Sequence, residues 1–182
     1  MSEVVRLTLL AHGLTEAMSA RRFPIDEPLS DLGLRQVDAI GDLGTVDRVL
    51  VGPETRTRQT AERLGCQSHT DQRLADLDCG RWKGGSLSSV DPGELSRWMT
   101  DPNSAPDGGQ SITALLERTS NWLHAISDRP GRAVAVTHPA VIRAAIVTAL
   151  DAPPEAFWRI DIVPASRTTL HYRSRSWTLR VS

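Results

Sequence analysis

The sequence is short of cysteine, of lysine and of long apolar runs, and it has no excess of either charge. Cys66 and Cys79 are its two cysteines, with 12 residues between them. That is too few for a disulfide framework, and the gap matches no zinc spacing, so reduced thiols are expected. No stretch approaches the ~18 to 20 consecutive apolar residues that span a bilayer. The segment Met1 to His12 has only a short apolar run, interrupted by Arg6, and lacks a cleavage-site pattern. A signal peptide is therefore not expected, and the expected location is the cytoplasm. Lys+Arg number 21 against 22 Asp+Glu, for a formal net charge of −1. Neither nonspecific nucleic-acid binding nor docking on anionic lipid is expected from that balance. Lys83 is the only lysine, which reads as composition rather than as a nucleic-acid signature.

What is there is the material of a globular domain. The chain has 182 residues, 40% of them apolar. We expect one domain over residues 1–182, a length that buries about 70% of the unfolded surface.

Apolar runs and punctuation outline the elements. Val4 to Leu10 reads as a buried strand that ends at His12-Gly13. Ser30 caps a helix expected from Asp31 to about Leu43, Arg48 to Val51 forms a strand closed by Gly52-Pro53, and Glu54 to Leu64 reads as helix. Gly80, Gly84 and Gly85 mark an irregular loop, and Asp91-Pro92 opens a further helix. Ser111 to Ile126 carries a helical apolar period, and Ala133 to Thr137 is the strongest strand signal. Pro139 then starts a helix to about Leu150, and strands are expected at Phe157–Val163, Thr168–Tyr172 and Trp177–Val181. This alternation predicts an α/β fold, a three-layer α/β/α sandwich with a mostly parallel central sheet.

Two histidines hold the same place in that scheme. His12 and His138 each follow a buried strand directly and precede a turn or a helix. Ligands of open α/β sheets bind beyond the carboxyl ends of the strands, so the two rings are expected to share one crevice. His69, His124 and His171 have no such setting and read as surface or packing residues.

Five ordered blocks carry a resemblance. Ala11-His12-Gly13-Leu14-Thr15 resembles the Arg-His-Gly-x-Thr signature of the histidine phosphatase, or phosphoglycerate mutase-like, superfamily. Asp26 to Ser30 with Gly33 and Gln36 resembles the segment that follows it. Gly52-Pro53-Glu54-Thr55-Arg56-Thr57-Arg58-Gln59-Thr60-Ala61 is similar to Ser-Pro-x-x-Arg-x-x-Gln-Thr-Ala. Leu74 to Gly84 resembles Leu-x-Glu-x-Asp-Phe-Gly-x-Trp-Glu-Gly, and Val136 to Arg143 resembles Val-Thr-His-Gly-Gly-Val-Ile-Arg. The resemblance implies a phosphoglycerate mutase-like fold and a phosphomonoester hydrolase. His12 is then the nucleophile, Asp76 the acid, and His138 a donor to the phosphoryl oxygens. Arg56, Thr15, Gly13 and Arg22 are the implied phosphate and substrate contacts. It implies no metal and no cofactor, and a small phosphorylated molecule or phosphate as the partner.

Three departures cut against catalysis. Ala11 replaces the motif arginine, Met18 stands where many members carry asparagine, and Pro139 replaces a glycine N–H donor. Arg21 or Arg22 is the expected compensation for Ala11. Arg58 is expected to point away, and Arg143 to tie its helix to carboxylates. Trp82, Trp98 and Met99 are read either as core or as a pocket for a less charged substrate. Asp78 and Glu16 are the reserve candidates for the acid. The competing reading is a catalytically weak or inactive relative that binds a ligand or partner. The sequence leaves the oligomeric state open.

Overall fold

A computed structural model describes residues 4–181. The chain runs β1 (Val5–Ala11), α1 (Glu16–Ser19), α2 (Asp31–Asp38), β2 (Arg48–Val51), α3 (Thr55–Arg63) and β3 (His69–Thr70). It continues through α4 (Pro92–Thr100), α5 (Ile112–Ser127), β4 (Gly131–Thr137), α6 (Pro139–Ala149), β5 (Arg167–Arg173) and β6 (Ser176–Arg180). The six strands form one sheet in the order β3-β2-β4-β1-β5-β6. β3, β2, β4 and β1 pair in parallel, and β5 and β6 add an antiparallel edge.

Strands buried on both faces read as continuous apolar runs, and that is what β1 and β4 are. Val5, Leu7, Leu9 and Ala11 of β1 pack with Ala133 and Ala135 of β4 on the face covered by α5 and α6. Leu10, Val134 and Val136 point the other way, with Val49 and Val51, toward Ala61 of α3. The three layers follow from that division. Trp122, Leu115 and Leu123 of α5 are fully buried and anchor the larger core; removing such a side chain costs about 3–5 kcal/mol.

The register of the central pair positions the chemistry. β1 and β4 run in step from Val5↔Gly131 to Ala11↔Thr137. His12 and His138, the next residue of each strand, therefore leave the sheet at one level, and the His12 amide donates to the Thr137 carbonyl at 3.0 Å.

Three local expectations need correction. α2 stops at Asp38 and not at about Leu43, because the chain turns through Gly41 and Gly44, both at φ near +70°. Phe157–Val163 is not a strand. Pro154 to Arg159 forms a 3-10 helix there, since Pro153 and Pro154 offer no ladder N–H and Phe157 drops fully buried into the core. β3 and the single turn α1, which the sequence reading omitted, complete the list.

Candidate active site

His12 is 2% exposed and its protonation pattern is set by one contact. Its Nδ1 lies 2.7 Å from the Gly13 carbonyl oxygen, which can only accept. Nδ1 therefore carries the proton, and Nε2 keeps its lone pair. Arg56 Nε–H donates to that Nε2 at 3.3 Å. Burial, followed by the charges of His138 and Arg56, brings the His12 pKa from 6.5 down to about 3. The ring is a neutral base across the physiological range.

Arg56 sits in the first turn of α3 with 2% exposure. Its other nitrogens are also engaged: Nη1 donates to the Ile25 carbonyl at 2.8 Å, and Nη2 donates to Asp76 Oδ2 at 2.7 Å. The Asp76 side chain keeps 18% exposure. Burial alone would raise its pKa, but His138, Arg56 and His12 outweigh it and hold Asp76 at about 2. Asp76 is thus ionised and paired.

His138 is fully buried, and its ring centroid lies 5.1 Å from that of His12 at 67° between planes. The expected shared crevice is present. His138 Nε2 donates to Glu54 Oε2 at 2.7 Å, while Nδ1 has no hydrogen-bond partner and lies 3.4 Å from Asp76 Oδ2. Sequence reasoning missed Glu54 as a site residue. Burial works to raise its pKa, yet the His138 contact and the Asp76 amide on Oε1 keep it below the ordinary carboxylate value. Its signal was a carboxylate at a helix start, which reads as an ordinary acidic first-turn residue.

Arg118 of α5 was also missed. It donates to the carbonyls of Ala75 at 2.7 Å and Asp76 at 3.2 Å, and so clamps the segment that carries Asp76. Nothing in an amphipathic helix pattern marks an arginine for that task.

The remaining expected site residues are placed differently. Gly13 is needed for close approach, since a Cβ there would meet the Gly33 carbonyl oxygen at 2.5 Å. Its amide donates to Thr60 Oγ1 at 3.4 Å. Thr15 is buried and its hydroxyl accepts the Met18 amide at 3.3 Å, capping α1. Arg21 and Arg22 are exposed at the mouth of the crevice. Arg58 is exposed and reaches only Thr55 Oγ1, as expected. Arg143 does not tie α6 to a carboxylate: Nε donates to the Ile160 carbonyl at 2.7 Å, and the guanidinium lies over Phe157 and Trp158. Asp161, the next residue, contributes its charge without a salt bridge. Asp78 pairs with Lys83 at 2.8 Å, and Glu16 is exposed on α1. Cys79 lies on the crevice wall, but burial pushes its thiol up to about 12, so it remains protonated.

Two cavities meet at the Arg56–Asp76 pair. A cavity of about 290 Å³ opens over His12 and is walled by Phe23, Trp98, Phe157 and Trp158. A larger one of about 840 Å³ reaches Arg56 and Asp76 from the other side, past Gln72, Asn103 and Gln110, without touching His12. Trp98 lines the smaller cavity; Trp82 packs behind it in the core, and Met99 is 51% exposed.

A neutral histidine, a buried arginine and a second histidine at the carboxyl ends of parallel strands define an anion-handling site of an α/β protein. Residues 7–182 match the family described as histidine phosphatase superfamily (branch 1), and the chain belongs to it. A glucosyl-3-phosphoglycerate phosphatase of Mycolicibacterium vanbaalenii is 32% identical over 180 residues, covering 86% of this chain and 79% of that protein. A bifunctional protein of Mycobacterium tuberculosis is 29% identical over 176 residues, and the chain spans 48% of its length. Among solved structures, a mycobacterial glucosyl-3-phosphoglycerate phosphatase in complex with VO3 superposes with a TM-score of 0.87 at 28% identity, covering 97% of both chains. The phosphoglycerate mutase-like fold is therefore shown, with phosphatases among the relatives. Among the described residues, no helix is long and apolar enough to cross a membrane.

Proposed function

We propose that this chain hydrolyses phosphomonoesters of small molecules, without a metal, through a phosphohistidine on His12. The observation that carries the reading is the His12 tautomer. Nδ1–H is held by the Gly13 carbonyl, and Nε2 is left with its lone pair beside Arg56. In the first step Nε2 attacks phosphorus and the bond to the leaving oxygen breaks. The phosphoryl oxygens take the guanidinium of Arg56 and, with His138 protonated on both nitrogens between Glu54 and the phosphoryl group, the Nδ1–H of His138, which has no other hydrogen-bond partner. Asp76 loses its counter-charge when Arg56 turns to the phosphoryl group, so its proton affinity rises. It takes the proton of the bound phosphomonoester monoanion and hands it to the leaving oxygen, and the resulting carboxylate takes a proton from the water that cleaves the N–P bond. Thr15 and Gly13 shape the loop under the phosphate, and Arg22 guards the mouth.

The experiment is acid-sensitive trapping of the intermediate. Brief exposure to labelled p-nitrophenyl phosphate should leave an alkali-stable, acid-labile phosphoryl group on the protein, absent in His12→Ala. A labelled His12→Ala protein, or one with undiminished turnover, overturns the mechanism.

A second reading has its own observation. Arg56 is already neutralised by Asp76, and Arg21 and Arg22, the expected replacements for the donor missing at Ala11, are exposed at the mouth. A weak or inactive relative that binds a ligand or partner would look the same. Burst kinetics separate the two, because only the enzyme turns over.

A further inference from the structure

We infer that the cavity over His12 takes a leaving group made of a flat apolar ring that carries an anionic substituent, with Trp98 and Trp158 holding the ring and Arg143 the anion. The inference rests on the phosphomonoester reading and names the substrate class of that site.

The wall sets the first half. Trp98 and Trp158 meet edge to face with centroids 4.5 Å apart, and Phe157 and Phe23 continue the aromatic surface at 4.9 Å and 6.0 Å. Among the described residues, no asparagine, glutamine, serine or tyrosine lines this cavity. Its one uncharged hydroxyl, on Thr15, is spent on the cap of α1. The polar partners in this cavity are charged side chains, among them Arg21, Arg22, Glu27 and Arg143, and hydroxyls laid against the aromatic wall would lie unpaired, at a desolvation cost that an apolar ring avoids there. A ring instead gains area burial and edge-to-face contact.

The second half comes from Arg143. Nε is used on the Ile160 carbonyl, and the guanidinium carbon lies 5.8 Å and 5.9 Å from the Phe157 and Trp158 ring centroids. Among the described residues it forms no salt bridge, although the charges of Asp161 and Asp76 act on it, and Arg143 lines the cavity. The two Nη groups form a planar fork against an aromatic wall, the geometry that recognises a carboxylate or second phosphoryl group. Arg21 and Arg22 add positive charge at the mouth, so that with Arg56 and Arg143 four arginines face the two carboxylates of the lining, Glu27 and Asp76. The larger cavity, with Gln72, Asn103 and Gln110, is the polar one, and it does not reach His12.

Binding of phosphonates, read by calorimetry on the full chain, tests this without needing turnover. Benzylphosphonate should bind about ten-fold or more tighter than methylphosphonate. 4-Carboxybenzylphosphonate should gain about five-fold further. Trp158→Ala should erase the gain from the ring, and Trp158→Phe, which keeps an aromatic surface, should retain most of it. Arg143→Met should erase the gain from the carboxylate and leave that from the ring. Equal affinities for the benzyl and methyl ligands overturn the inference, as does a carboxylate gain that survives Arg143→Met. Hydrolysis of p-nitrophenyl phosphate reports separately on the enzyme reading. A ring preference without turnover keeps this pocket and removes the hydrolase; turnover without a ring preference does the reverse.

Discussion

Glu54 Oε2 lies 2.7 Å from His138 Nε2, and the same carboxylate accepts the Asp76 amide on Oε1 at 2.9 Å. One side chain thus joins the second histidine to the segment that bears the candidate acid. Gly52 makes room for it. A Cβ at that position would sit 3.2 Å from both Glu54 Oε2 and His138 Nε2, and 2.9 Å from the Leu74 carbonyl oxygen. Glycine at 52, where the family motif has serine, and glutamate at 54 are one arrangement.

Glu54→Gln keeps the shape and removes the charge. We expect kcat on p-nitrophenyl phosphate to fall about ten-fold or more with KM nearly unchanged, because the loss is in aligning His138 with the transition state. Gly52→Ser should act in the same direction by crowding the pair. A Glu54→Gln enzyme with wild-type kcat removes Glu54 from the site.

The depressed pKa of His12 has a consequence for stability. Above its ordinary value of 6.5 both folded and unfolded chains hold it neutral, and it contributes no pH dependence. As pH falls from 6.5 toward about 3, the unfolded chain binds a proton that the folded one refuses. Stability is lost at about 1.4 kcal/mol per pH unit over that window. Urea unfolding between about pH 6.5 and 4.5 should cost the wild type about 2 kcal/mol more than His12→Asn. Parallel slopes would place the His12 pKa near its ordinary value.

In the proposed mechanism Asp76 competes with phosphate for Arg56. Asp76→Asn frees the guanidinium and strips a negative charge from the site, so inorganic phosphate should bind several-fold tighter. Hydrolysis of alkyl phosphates should meanwhile fall much further than that of p-nitrophenyl phosphate, whose leaving group needs no proton. Calorimetry and paired rate measurements read the two effects. Equal losses on both substrates point to a structural role for Asp76.

Gly13→Ala tests the turn behind His12. Its Cβ would lie 2.5 Å from the Gly33 carbonyl oxygen and 3.0 Å from Val37 Cγ2, so α2 must move. We expect a loss of about 1–3 kcal/mol in thermal or urea unfolding, together with reduced activity because His12 Nδ1 depends on the Gly13 carbonyl.

Much of this was legible because central parallel strands are written as apolar runs. β1 and β4 ended visibly at His12 and His138, and only the partner order β4-β1 was needed to bring the rings together. The ties between distant segments were not legible. Leu14 N–H to Gln36 and Leu29 N–H to Gln59 fall within recognisable blocks. Glu54 to His138, in contrast, spans 84 positions and leaves no periodic trace. The segment from Phe157 misled for a physical reason: aromatic and β-branched residues suit a strand, but Phe157 is buried by a 3-10 turn that the preceding prolines start.

Because β1 and β4 are neighbours at the centre of the sheet, the two histidines are moored to the part of the protein that opens last. Loss of the His12–His138 alignment and loss of the fold then become a single event. Heat inactivation should follow the unfolding curve with no earlier, silent step, and cooling should restore both together. The mouth at Arg21 and Arg22, carried by an exposed turn, lies outside that mooring. Ligand preference can therefore drift across descendants of this chain while His12 stays where the sheet puts it.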